Sequence, residues 1–278
     1  MRLSAAIKTY EIEQEVPVAL FSGSFHNRLQ KAAEFGYDGI ELMAANPVHL
    51  DSKKICKQIK ELGLEVSAIG SGAAFMVDKL TLLASDPDVS QRALKRLHDL
   101  IQFASEVEAP FVTIGSFRGR KAWVTDGKAD AKLNEAMANA AGRASRLGVR
   151  LVLEPLNRYE SDIVNNTKEG LALLEKIGHS HTGLLIDTYH LNIEEPSIHS
   201  CFQKAMSAGK LWHIHIGDSN RLPPGKGHLD FPGIVSTLRE IGYNGYLSAE
   251  LLPLPNPDQA AEETLRYMRK LIPPKNMK

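Results

Sequence analysis

Leu151–Glu160, LVLEPLNRYE, decides the fold. Leu151, Val152 and Leu153 form a short apolar run that meets Glu154 and then the helix-breaking Pro155. This is the pattern of a buried strand running into a polar turn. A carboxylate at the end of a buried strand is costly unless something positive receives it. Three later segments finish in the same way. GLLIDTYH delivers Asp187 and His190, LWHIHIGDSNR delivers His213, His215 and Arg221, and YNGYLSAELLP delivers Glu250. Four apolar strands, each closing on a ligand-type residue, predict one metal site lined with oxygen and nitrogen.

Outward from these four, strands and helices alternate along the whole chain. The first half predicts strands at Leu3–Ile7, Gly39–Met43, Glu65–Ile69 and Phe111–Ile114. Helices are predicted at about 27–34 (closed by Gly36), in SKKICKQIKELG, in DVSQRALKRLHDLIQFASEVEA and at about 129–147 (stopped by Gly148). The second half supplies NTKEGLALLEKIG, PSIHSCFQKAMSAG, DFPGIVSTLREIG and PDQAAEETLRYMRKLI, with apolar residues at helical spacing. Strands alternating with helices demand a parallel sheet covered on its faces. Eight such units predict an α/β fold, a (β/α)8 TIM barrel, as one domain over 1–278. No dinucleotide glycine fingerprint follows the first strand, which argues against an open doubly wound sheet.

Composition narrows the function classes. Lys plus Arg equals Asp plus Glu, 33 each, so no net field draws a nucleic acid or an acidic membrane. No apolar run reaches the roughly 18 residues of a membrane span, and MRLSAAIK lacks a signal-peptide core. The expectation is a cytoplasmic protein without nucleic-acid or membrane partners, with Cys56 and Cys201 as reduced thiols. Active sites of barrels sit where strands end. The loops GSFRGRKAWVTDGK and SNRLPPGKGHLDFPG lie on that face.

Glu154, Asp187, His215 and Glu250 make a set of three carboxylates and one imidazole. It suits one divalent ion, Mn2+ first, with Mg2+ or Co2+ as alternatives. His213 and His215 share one strand face; either one also reads as a hydrogen-bonded core histidine. His26 and His228 sit in loops that could border the site, and Asn157 and Asn165 could orient Glu160 or a ligand hydroxyl.

LEPLNRYE, IDTYHLNIEE, HIHIGDSNR, PGKGHLDF and the Glu-bearing eighth strand resemble the D-tagatose 3-epimerase group of the xylose-isomerase-like barrels, most densely from about residue 150 to 255. The resemblance implies that Glu154, Asp187, His215 and Glu250 bind the metal, and that Glu160, His190 and Arg221 hold the oxygens of a sugar. It also implies a homodimer or homotetramer. The chemistry is physically coherent. A carbon beside a ketone is too weak an acid for an unaided carboxylate, and a cation stabilises the enediolate. Glu154 and Glu250, the catalytic pair, would then remove the proton on one face and return it on the other. His190 reads alternatively as a residue orienting Asp187.

AIGSG, SFRGR and EPLNRYE are similar to the 5-keto-L-gluconate epimerase branch, so within the class of ketoses and keto-sugar acids the resemblance implies a keto-aldonate as the specific ligand. In the acid case Arg118 would grip the carboxylate in a bidentate contact; it reads alternatively as a solvated loop arginine. Other reactions at the same metal stay open: an isomerase, an inosose dehydratase, or a deglycosidase or epimerase of 3-keto-glycosides. An apurinic endonuclease would need additional histidines after strands three and four, where GSGAAF and GSFRGR have none. A non-enzymatic barrel predicts a lost ligand, and all four are present.

Overall fold

The structure, a computed structural model, describes residues 1–274. Eight strands lie where the apolar runs predict them: β1 Arg2–Lys8, β2 Gly39–Met43, β3 Glu65–Gly70, β4 Phe111–Ile114, β5 Arg150–Leu153, β6 Thr182–Asp187, β7 Leu211–Ile216 and β8 Tyr246–Ala249. All neighbouring pairs are parallel, and β8 pairs with β1 to close the barrel in sequence order. Closure removes the sheet edges, and helices cover the outside.

Side-chain caps start several of the covering helices. In α1 (Phe25–Phe35) the Ser24 hydroxyl caps the start and Gly36, at φ 96°, ends it in the left-handed region. Asn166 caps α6 (Thr167–Ile177), Ser197 caps α8 (Ile198–Ser207), Asp230 caps α9 (Phe231–Glu240) and Asn256 caps α10 (Pro257–Leu271). The amphipathic α2 (Ser52–Glu61), α4 (Pro87–Glu106) and α5 (Ala129–Arg146) bury their apolar stripes against the barrel. Among the described residues, no helix is long and apolar enough to cross a membrane. Both cysteines are free thiols.

Two short helices were not foreseen. α3 (Gly72–Asp78) follows β3, and α7 (Thr188–Glu194) follows β6. Neither reaches the length at which helical periodicity can be read from sequence. α7 has a consequence for the site: it puts His190 three residues along a helix from Asp187, on the same side.

Two register shifts position inward-facing residues. On β7 the pairing with β6 runs Leu184 to Leu211 and then Leu185 to His213, so Trp212 is an extra residue. From there His213 and His215 both point into the barrel, each fully buried. Gly183 admits the Trp212 ring, since a Cβ there would lie 2.3 Å from it. The second shift, between β2 and β3, falls at Ile40/Glu41.

Candidate active site

β5 presents Glu154 at its carboxyl end, where the Glu154 amide donates to Ile114 O on β4 at 3.0 Å. Asp187 is the last residue of β6 and also the cap of α7; its Oδ1 accepts from the Tyr189 amide at 2.8 Å. That leaves Oδ2 for the cavity. His215 comes from β7, and Glu250 follows β8 immediately.

Ligand atoms of Glu154, Asp187, His215 and Glu250 all lie within 4.8 Å of one another. Ligands about 2.1 Å from a common centre need such spacing. His215 Nδ1 stands 3.4 Å from Glu154 Oε1 and 3.4 Å from Glu250 Oε2. Glu154 Oε1, Asp187 Oδ2, His215 Nδ1 and His190 Nε2 are buried with no hydrogen-bond partner. Orphaned buried polar atoms are rare, and the three from Glu154, Asp187 and His215, all within one cluster with Glu250, fit a cation. The charges agree: three buried carboxylates face one arginine, Arg221. Burial pushes Asp187 up to about 7 and raises Glu154, whereas His215 and Arg221 overcome burial at Glu250 and lower it to about 2. At His215 the Glu41 and Glu250 charges overcome burial and raise the imidazole.

The residues expected to hold a sugar surround this cluster. His190 Nδ1 accepts from Asn157 Nδ2 at 2.8 Å, so its proton sits on Nε2. That Nε2 lies 3.9 Å from Glu154 Oε1 and 3.8 Å from Asp187 Oδ2. Burial, with Arg221 nearby, holds His190 well below its ordinary pKa, so it is neutral. Arg221 reaches Glu250 Oε2 at 2.9 Å and Glu160 Oε1 at 3.2 Å. It adopts φ 60°, which a non-glycine residue takes only when its loop imposes it. Asp218 does so, accepting from the amides of Ser219, Gly225 and Leu229 at 2.7, 2.8 and 3.0 Å.

Glu154, Glu160, His190, Arg221 and Glu250 line a cavity of about 280 Å3. Pro17, Val18, Met43, Phe75, Met76 and Leu156 add apolar surface to the lining, and Thr113 and Ser116 add hydroxyls. Gly115 opens the space beside Glu154; a Cβ there would fall 2.3 Å from Glu154 Oε2.

Arg118 requires a correction. It does not face the cavity, and it is not a solvated loop residue either: its exposure is 0%. Its guanidinium donates to the carbonyls of Gly115, Glu154, Ile163 and Val164 and to the Ser161 hydroxyl. With its donors so occupied it cannot grip a carboxylate. It clamps the loops after β4 and β5 around the Glu154 backbone.

Asn157 meets Glu160 as expected, Nδ2 donating to Oε1 at 3.1 Å, and its bond to His190 goes beyond that expectation. Asn165 instead braces the loop through the carbonyls of Leu156 and Ser161. His228 pairs with the Ser219 hydroxyl, and neither it nor His26 lines the cavity. One residue escaped the sequence reading: Glu41 on β2, buried, receives hydrogen bonds from His213 and His215. A glutamate inside an otherwise apolar strand was its only sequence signal.

A closed parallel barrel with three carboxylates and an imidazole converging at its strand ends defines a candidate metal-site (β/α)8 enzyme. The chain belongs to the xylose isomerase-like TIM barrel family, whose profile matches residues 29–271. It is 32% identical over 224 residues to an L-ribulose 3-epimerase of Mesorhizobium japonicum, covering 80% of this chain and 73% of that one. It is 31% identical over 219 residues to a ketose 3-epimerase of Arthrobacter globiformis, with 78% and 74% covered. In fold it is similar to a 3-keto-D-glucoside 4-epimerase from E. coli, with a TM-score of 0.80 at 23% identity over 97% of this chain and 99% of that one. The chain is an enzyme, a sugar epimerase.

Proposed function

We propose that this enzyme inverts the carbon beside the carbonyl of a neutral ketose, using one divalent ion held by Glu154, Asp187, His215 and Glu250. The convergence of three orphaned atoms, from Glu154, Asp187 and His215, with Glu250 in the same cluster supports the reading. Such an ion, when bound, supplies positive charge where negative charge develops as the carbon loses its proton. Glu154 and Glu250 are the proton carriers, one removing the proton and the other returning it from the far side. His190 donates from Nε2 to an oxygen of the reacting region. Glu160 and Arg221 bond the sugar hydroxyls and so fix which carbon meets the two glutamates.

Neutral ketose is favoured over keto-acid by the cavity walls. Arg221, the one lysine or arginine lining the cavity among the described residues, already serves two glutamates, and Arg118 is spent on backbone carbonyls. The three-carboxylate, one-imidazole set favours Mn2+. A cytoplasmic homodimer or homotetramer completes the reading, supported by the composition and by the resemblance.

The test is incubation of Mn2+-loaded protein in D2O with a panel of ketoses, keto-acids and 3-keto-glycosides. Deuterium at the carbon beside the carbonyl of a neutral ketose is the expected result. Exchange confined to the keto-acids or the 3-keto-glycosides overturns the substrate class. Absence of exchange with every compound overturns the reaction.

A further inference from the structure

We infer that Glu41 is a positioning residue for the metal centre, fixing which nitrogen of His215 faces the cluster and using His213 as its second anchor. The inference rests on the metal reading above. Glu41 enters the barrel interior from β2, and His213 and His215 enter it from β7, with 172 positions between Glu41 and His213. Glu41 Oε2 accepts from His213 Nε2 at 2.9 Å and from His215 Nε2 at 3.0 Å, while Oε1 lies 3.1 Å from His215 Nε2. A carboxylate only accepts, so both Nε2 atoms carry protons. Nδ1 is therefore the nitrogen that His215 turns toward Glu154 and Glu250, and it has no hydrogen-bond partner.

A buried carboxylate without a lysine or arginine is expensive to keep. Among the described residues, the side chains bonded to Glu41 are these two imidazoles. The arrangement gives that cost a use: the negative charge behind the ring makes Nδ1 a stronger donor and prevents the ring from turning over. His213 explains itself in the same terms. It is 0% exposed and off the cavity lining, and its bond pins the oxygen that would otherwise follow His215. Because it sits two residues from His215 on one strand, the three side chains form a rigid bracket. Glu41, His213 and His215 are also close enough to hold an ion themselves. Their N···O separations of 2.9–3.1 Å are hydrogen bonds, about 1 Å longer than ligand bonds.

The experiment is a calorimetric Mn2+ titration of metal-free protein, with circular dichroism to verify folding. Four chains are compared: the natural sequence, Glu41→Gln, His213→Gln and His213→Leu. The natural chain is expected to bind one Mn2+, and Glu41→Gln to bind it on the order of 10- to 100-fold more weakly. His213→Gln keeps an amide donor for Glu41 and should stay within about threefold of the natural chain, whereas His213→Leu should weaken binding by roughly tenfold. Should Glu41→Gln fail to fold, the contrast between the two His213 variants decides. Unchanged affinity in folded Glu41→Gln, or in His213→Leu, overturns the inference. Two Mn2+ per chain, one of them lost in Glu41→Gln, also overturns it by making Glu41 a ligand. A natural chain that binds no Mn2+ overturns the metal reading beneath it.

Discussion

Asn157 donates to His190 Nδ1 twice, from Nδ2 at 2.8 Å and from its backbone amide at 3.3 Å, and the two bonds keep the imidazole proton on Nε2. Asn157→Asp keeps the backbone donor but sets a carboxylate against Nδ1, which favours a proton there and draws it off Nε2. His190 could then no longer donate to a developing oxyanion. The expected outcome is a fall in kcat of about 10²-fold, with KM rising as well because the new carboxylate meets Glu160 where an amide had donated. Equal turnover in steady-state assays of the two proteins would remove His190 from the role given to it.

Gly115 is the position whose missing side chain makes room for Glu154. A methyl there would lie 2.3 Å from Glu154 Oε2 and must push the carboxylate aside. The backbone pair of φ −104° and ψ −116° lies outside the α and β regions, so folding of Gly115→Ala is read alongside its activity. Turnover should fall by roughly 10²-fold, because displacements near 1 Å carry that penalty at a reacting centre. Circular dichroism beside kcat separates the two effects.

Arg118 gives an opposite kind of prediction. Arg118→Met would strip the donors from four backbone carbonyls and a hydroxyl in a buried pocket. Gly115 O, Ile163 O, Val164 O and the Ser161 hydroxyl keep a second partner, so the cost falls mainly on Glu154 O, and a loss of about 1–3 kcal/mol is expected in urea unfolding. Any change in KM should be the same factor for a keto-acid and a neutral ketose. A selective rise for the keto-acid would return Arg118 to carboxylate binding.

Asp218 sets the acid sensitivity of the loop that carries Arg221. Burial alone would raise its pKa, but the amides of Leu229, Gly227, Ser219 and Gly225 outweigh burial and hold it below the ordinary carboxylate value. A carboxyl lowered on folding contributes stability that is complete above its unfolded pKa of about 4. That contribution is lost as pH falls through the folded value. Asp218→Asn should therefore be less stable at pH 7 by about 1.5–3 kcal/mol, the range for hydrogen bonds to a charged group. Below about pH 4 the difference should narrow. Melting curves at pH 7 and pH 3 that stay equally far apart would contradict this.

The eight strands, most of the covering helices and the four ligand candidates could be read before any coordinates. Each strand is a short apolar run, and each ligand stands within a residue or two of where such a run ends. The signal is local, and the barrel geometry sends all strand ends to one face. α3 and α7 were invisible because one or two helical turns carry no measurable period. Arg118 was misread for a related reason: sequence shows a basic residue in a polar loop, but not the carbonyls of residues 163 and 164 folding back around it.

What the chain alone determined is therefore the alternation of elements and the chemistry delivered at each strand's end, because both are written in neighbouring residues. What tertiary structure decided is which side chains serve others. Glu41 meets His213 and His215 across the barrel, Asn157 joins Glu160 to His190, and Arg118 turns inward. Those partnerships depend on closure and on the extra residue in β7, which set the direction of a side chain relative to elements far away in sequence. No pattern of adjacent residues encodes that direction.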